Sequence, residues 1–101
     1  MNNTTRWIVP AEHPTLAGHF PGIPILPGVV LLDVTLHIIA EAHEIALDRC
    51  EISSVKFLSP ANSGDELEIQ HSLSDSGTIR FDIMAGARKI ASGSIVPVVP
   101  V

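Results

Sequence analysis

The chain is poor in the residues that would point to several common functions. Its single cysteine, Cys50, leaves no partner for an internal disulfide. Lys and Arg number six against eleven Asp and Glu, for a net charge of −5. There is no basic stripe to neutralise phosphates, which argues against a nucleic-acid partner. No long uncharged run exists either. The most apolar stretch, from Ile23 to Leu47, contains Asp33, His37, Glu41, His43 and Glu44, whereas a spanning helix needs ~20 residues with few or no charges. The opening residues Met1 to Thr5 lack the basic and apolar regions of a secretory leader, so the expected location is cytoplasmic. His-Glu-x-x-His and Cys-x-x-Cys spacings are missing despite five histidines, so no metal site is expected. A nucleotide-binding glycine motif and internal repeats are also lacking.

What remains is 101 residues, enough for a single domain (1–101), of which 46% are hydrophobic and 17% charged. That balance excludes disorder. Thr5 to Val9 is β-prone and ends at Pro10. From Ala11 to Pro27 the chain is dense in Pro and Gly, which forbids regular helix or central strand. A structureless segment of that length in so small a domain is usually functional. Pro27 then suits a helix start. No Pro or Gly interrupts the run from Gly28 to Leu47, which predicts a helix ~30 Å long. Its apolar residues fall nearly all round it, so it is expected to be enclosed. Beyond Arg49 the period changes to two. Leu67, Ile69, His71 and Leu73 alternate with polar neighbours, as do Ile79, Phe81 and Ile83. Less regular strands are expected over Ile52–Leu58 and Lys89–Val96, and the tail from Pro97 to Val101 at an edge. The class is α+β: an antiparallel sheet wrapped around a long central helix. One small sheet cannot cover such a helix, which calls for a symmetric dimer joined edge to edge.

Chemistry concentrates between Gly18 and Asp33. His19, pinned by Gly18, Pro21 and Gly22, is a candidate general base. The Gly28 N–H, at the helix start, could polarise a carbonyl oxygen. Asp33, one and a half turns into an apolar stretch, would be raised in pKa by desolvation and could act as a general acid. Each also has a structural reading, including an Asp33–His37 pair one helical turn apart. His71 reads as packed or at a dimer edge, His13, His43, Glu41 and Glu44 as rim or helix-end residues, and Cys50 as a quiet thiol.

The segment Gly18-His19-Phe20-Pro21-Gly22-Ile23-Pro24-Ile25-Leu26-Pro27-Gly28 resembles the signature of hot-dog-fold 3-hydroxyacyl-(acyl carrier protein) dehydratases of the FabA and FabZ type. Asp33 falls fourteen positions after His19, where that family has its acid; aspartate is similar to FabA. Val55-Lys56-Phe57 and Gly64-Asp65-Glu66-Leu67 look like a strand pair of the same family. The short chain, with Val9-Pro10-Ala11-Glu12-His13-Pro14 before the signature, most resembles the compact ApeI-like dehydratases of aryl polyene pathways. The resemblance covers roughly Trp7 to Val96.

It implies a dimeric hot-dog fold that dehydrates a 3-hydroxyacyl thioester to the trans-2-enoyl thioester. The catalytic residues would be His19, Gly28 and Asp33, the last contributed by the partner subunit, with Phe20, Pro21, Gly22, Pro27 and His37 around the substrate. No metal or redox cofactor is implied. The substrate would arrive on the phosphopantetheine of an acyl carrier protein or on CoA. Where the longer dehydratases have glutamine, this chain has His37; if charged it would oppose Asp33 as acid, if neutral it would orient it. Thioester hydrolysis, or acyl-thioester binding without catalysis, is compatible with the same fold. Acyl carrier proteins are acidic, and Arg88 and Lys89, with Arg80 on the preceding strand, are the expected docking patch. A homodimer or higher homo-oligomer is the expected assembly.

Overall fold

A computed structural model of the chain describes residues 2–10 and 25–97. Strand β1 covers Asn2–Ile8 and the two-residue strand β2 covers Ile25–Leu26. Helix α1 follows over Gly28–Ala42, then a single 3₁₀ turn at Leu47–Arg49. Strands β3 (Cys50–Phe57), β4 (Ala61–Asn62), β5 (Glu66–Leu73), β6 (Ile79–Ala85) and β7 (Arg88–Pro97) complete the chain. Five strands form one antiparallel sheet in the order β1-β5-β6-β7-β3, and β2 pairs with β4 beside it.

The alternation in β5 and β6 explains which face the sheet turns inward. Leu67 and Ile69 on β5 and Ile79, Phe81 and Ile83 on β6 are fully or almost fully buried. They form one core with Ile95 of β7 and with Leu31 and Ile39 of α1. The hairpin between these strands turns at Gly77, whose φ of 90° is a conformation that other residues rarely adopt. At Gly93 of β7 the sheet has no room for a side chain. A Cβ there would meet the Ser54 carbonyl oxygen and would lie 2.7 Å from Cζ of Phe81. Glycine is thus what lets the Phe81 ring come so close to β7.

Two expectations about the helix are corrected. It ends at Ala42, five residues short of Leu47, because the backbone turns there. The Glu44 N–H donates to the Glu41 carbonyl at 3.3 Å and the Ile45 N–H to the Ala40 carbonyl at 2.9 Å. These two bonds are the Schellman pattern, which requires a left-handed residue just past the cap. Glu44 supplies it, at φ 55°. Nor is α1 enclosed by its own chain. Leu31, Thr35, Ile39 and Ala40 are buried, while Val29, Asp33, His37 and Glu41, each one turn from the next, form an exposed stripe. Thr35 satisfies its buried hydroxyl by donating to the Leu31 carbonyl at 2.8 Å. Pro97, the last described residue before the tail, pairs with Cys50 of β3, and the tail beyond it lies outside the described residues.

Candidate functional site

Pro27 stands at the N-cap of α1, and its carbonyl accepts from the Val30 and Leu31 N–H groups at 3.0 and 3.1 Å. The Gly28 N–H comes two positions before that of Val30, where the helix itself supplies no acceptor and the helix dipole is positive. Against this first turn lies Phe57, the last residue of β3. A Cβ on Gly28 would sit 3.1 Å from Cζ of the Phe57 ring, so glycine is what allows the ring to rest on the helix start.

Around that contact opens an apolar cavity of about 520 Å³. Its walls come from Ile25, Leu26, Pro27 and Gly28 on one side, Leu31 on the helix, and Phe57, Leu58, Pro60 and Ala61 on the other. Almost no polar surface lines it. Such a space suits an alkyl or acyl chain, with a helix-terminal amide at one wall. The Val55-Lys56-Phe57 motif was legible in the sequence, but not that Phe57 folds back onto Gly28. Leu58 and Pro60 had no signal of their own.

Of the expected site residues, Pro27 and Gly28 line this cavity. His19, Phe20, Pro21 and Gly22 lie outside the described residues. Asp33 and His37 are not cavity residues of their own chain. Five residues of helix separate Gly28 from Asp33, roughly 7–8 Å of rise and well over a full turn, which carries the carboxylate onto the open stripe. The single chain thus does not by itself supply the desolvation expected for this carboxylate, since the Asp33 side chain is 70% exposed.

His37 follows Asp33 by one turn. Its Nδ1–H donates to the Asp33 backbone carbonyl at 2.8 Å; a carbonyl can only accept, so the proton sits on Nδ1. The same nitrogen lies 3.6 Å from Oδ1 of Asp33. His37 is thus held beside the carboxylate through Nδ1.

The three basic residues do not form one patch. Arg80 pairs with Ser94 and Arg88 with Ala85, which puts them at opposite ends of the β6–β7 ladder, roughly 17 Å apart at the usual rise. Arg88 is also engaged internally. Its guanidinium donates to Ser59 Oγ at 2.6 Å, the Pro60 carbonyl at 2.7 Å and Asp65 Oδ2 at 3.2 Å. Asp65 in turn accepts from the Asn62 N–H at 2.8 Å, so this cluster clamps the cavity-lining loop. Lys89 pairs with Asp82 at 3.2 Å.

A second cluster went unread in the sequence. His71 is 2% exposed on the inner face of β5. Its Nδ1 lies 2.9 Å from Nε2 of His43, and its Nε2 lies 3.3 Å from Thr5 Oγ1. Burial, and then the neighbouring His43, hold His71 below the usual histidine range. Burial and the Asp48 carboxylate push the Cys50 thiol up, which disfavours a thiolate nucleophile. Among the described residues, no three His, Cys, Asp or Glu side chains converge as metal ligands, and no helix is long and apolar enough to cross a membrane.

Comparison with known proteins adds names to this geometry. The 3-hydroxyacyl-(acyl-carrier-protein) dehydratase FabZ of Geobacter metallireducens is 34% identical over 71 residues, covering 61% of this chain and 47% of that protein. FabZ of Chlamydia trachomatis is 34% identical over 101 residues, covering 86% of this chain and 65% of that one. The chain spans about half the length of the first of these curated relatives. Among solved structures, the dehydratase heterocomplex ApeI:P from Xenorhabdus doucetiae superposes with a TM-score of 0.75 at 21% identity, over 94% of this chain and 85% of that one. The fluoroacetyl-CoA thioesterase FlK superposes with a TM-score of 0.68 at 17% identity, over 94% and 82%. Both share the hot-dog fold, an antiparallel sheet wrapped around one helix. The family described as ApeI-like (ApeI dehydratase) matches residues 2–94, nearly the whole chain, and the protein belongs to that family.

Proposed function

We propose that the protein is a hydro-lyase that converts a 3-hydroxyacyl thioester to the trans-2-enoyl thioester and water. The observation that carries this reading is the apolar cavity whose wall is the first turn of α1, with the Gly28 amide at its edge. A thioester whose carbonyl oxygen accepts from that amide gains stabilisation as its C2 proton leaves and enolate character develops. His19 is the base that takes the proton. Asp33 protonates the departing 3-hydroxyl, and the C2 electron pair closes the double bond.

Asp33 turns away from its own cavity, which supports a homodimer in which each site takes His19 and Gly28 from one chain and Asp33 from the other. Burial in such an interface would supply the desolvation that the single chain does not. His37, holding its proton on Nδ1, fixes the turn that carries Asp33. The acyl group arrives on a phosphopantetheine arm, most simply that of an acyl carrier protein, after the relatives named for that carrier. A fatty-acid or aryl-polyene-type pathway is the expected setting, in the cytoplasm.

The fold is shared with a thioesterase, so fold decides nothing between the two reactions. Incubation with 3-hydroxyacyl and saturated acyl pantetheine thioesters does. Appearance of the conjugated enoyl thioester supports dehydration. Release of free thiol without an enoyl product overturns it in favour of hydrolysis, and tight binding with no turnover overturns it in favour of a sensor.

A further inference from the structure

The two walls of the apolar cavity are held in different ways. On the helix side Leu26 and Leu31 are buried members of the core, so packing fixes them. On the other side Leu58 is 48% exposed and Pro60 is exposed as well, so no core backs this wall. Polar ties keep it in place. After Phe57 the Leu58 and Ser59 N–H groups both donate to the Ile90 carbonyl, at 2.8 and 3.2 Å. Ile90 is the extra residue of a bulge in β7, because Ile83 pairs with Ala91 while Met84 pairs with Lys89. Pro60 has no N–H to add. Its carbonyl accepts instead from the Arg88 guanidinium at 2.7 Å, and the same group donates to Ser59 Oγ at 2.6 Å and Asp65 Oδ2 at 3.2 Å.

The Asp65 end carries the tie across the cavity. That carboxylate oxygen also accepts from the Asn62 N–H, and Asn62 of β4 pairs with Ile25 of β2, a residue of the opposite wall. One planar cation therefore fixes the loop at Ser59 and Pro60 and, through Asp65, the short strand that joins the two walls. A guanidinium offers its donors in a rigid fork, whereas a lysine ammonium is a point charge on a flexible stem.

We infer that Arg88 is a specificity-determining positioning residue: by fixing the Leu58–Pro60 wall against the first turn of α1, its guanidinium limits the size of the acyl chain that the cavity accepts. This role replaces the carrier docking expected of Arg88. A cation paired with Asp65 and spent on two further acceptors of its own chain has little left for an acidic partner. A plain structural staple differs in one respect. Its loss would weaken ligands of every length alike, whereas a displaced wall changes affinity only for chains long enough to reach it.

The inference rests on the acyl occupant of the proposed function. Saturated acyl-pantetheine amides, with nitrogen in place of the thioester sulfur, test it because they offer neither a 3-hydroxyl to lose nor a thioester to cleave. A series of increasing chain length is titrated by calorimetry into the wild-type protein, Arg88→Met, Arg88→Lys and Asp65→Asn. Wild-type affinity is expected to rise about fourfold per added methylene up to a limiting length, then to drop about tenfold or more. In both Arg88 variants that drop shrinks to about threefold or less, since lysine keeps the charge without the fork. Asp65→Asn falls between, and it and Arg88→Lys carry the test if Arg88→Met does not fold. Folded variants with the wild-type cut-off, or with affinity lowered equally at every length, overturn the role of Arg88 and leave the acyl cavity standing. A wild-type protein that binds none of the amides, or binds all of them equally, overturns the acyl cavity and with it both this inference and the proposed function.

Discussion

Nε2 of His43 and Nδ1 of His71 lie 2.9 Å apart, joining the C-terminus of α1 to the middle of β5. One proton fits between two ring nitrogens at that distance. If both rings are cationic, two N–H groups face each other and the bond is lost. The strand partners of His71, Asn3 on β1 and Phe81 on β6, and Thr5, whose hydroxyl reaches its Nε2, are uncharged, so none of them offsets a second positive charge.

The first prediction is therefore acid lability. His71 is held below its ordinary value in the folded state, whereas the unfolded chain titrates near about 6.5. Below that pH the unfolded state binds more protons, so stability is full above about pH 6.5 and is lost as pH falls through the depressed folded value. Thermal melts from pH 7.5 to 5 should show His71→Asn falling less steeply than wild type. Identical slopes would remove His71 as the source.

A second prediction concerns Gly93. Alanine there meets the Ser54 carbonyl and the Phe81 ring, neither of which can move freely. Gly93→Ala should destabilise by about 1–3 kcal/mol through overpacking. Pairing it with Phe81→Leu should recover part of that loss in chemical denaturation, since the ring is one of the two obstacles.

The end of α1 offers a stabilising change. Glu44 holds a left-handed φ of 55° that glycine adopts without cost. Glu44→Gly should raise stability by roughly 0.5–1 kcal/mol, read as a higher denaturation midpoint with an unchanged slope.

Catalysis supplies the last prediction. His19→Ala and Asp33→Asn should each lower turnover by roughly 10²–10⁴-fold while the protein stays folded. If the site is shared, co-refolding the two variants yields mixed dimers with one intact site. Random pairing makes about half the dimers mixed, so about a quarter of wild-type activity should return. No recovery, in a sample shown by native mass spectrometry to contain mixed dimers, places both residues in the same chain.

Local pattern made much of this architecture readable. The strict alternation around Leu67, Ile69, Phe81 and Ile83 announces two half-buried strands, and Pro27-Gly28 announces the helix start. The helix end was not readable, because a Schellman turn normally advertises itself by glycine and here Glu44 takes the strain. The enclosure of α1 was over-read for a related reason. Its apolar residues do run round the helix, but one sheet covers a single face of it. The bulge at Ile90 carries no glycine to mark it. Long-range pairings were invisible altogether: Arg88 looks like a free cation in the sequence until the loop carrying Ser59, Pro60 and Asp65 folds beneath it, and nothing near His71 names His43. The family resemblance was the most legible part, yet His19 lies outside the described residues and Asp33 faces the side that its own chain leaves open.

The Phe57 ring on Gly28 couples two parts of the molecule that sequence keeps apart. Phe57 closes the outermost strand of the sheet, and its ring, 48% exposed, is at once a wall of the cavity and the cover of the helix start. A methyl group on residue 28 would force that ring aside by a few tenths of an ångström. Position 57 is thus a gauge read from both ends: whatever straightens or shifts the rim of the sheet moves the lid over the amide, and whatever fills the cavity pushes back on the rim.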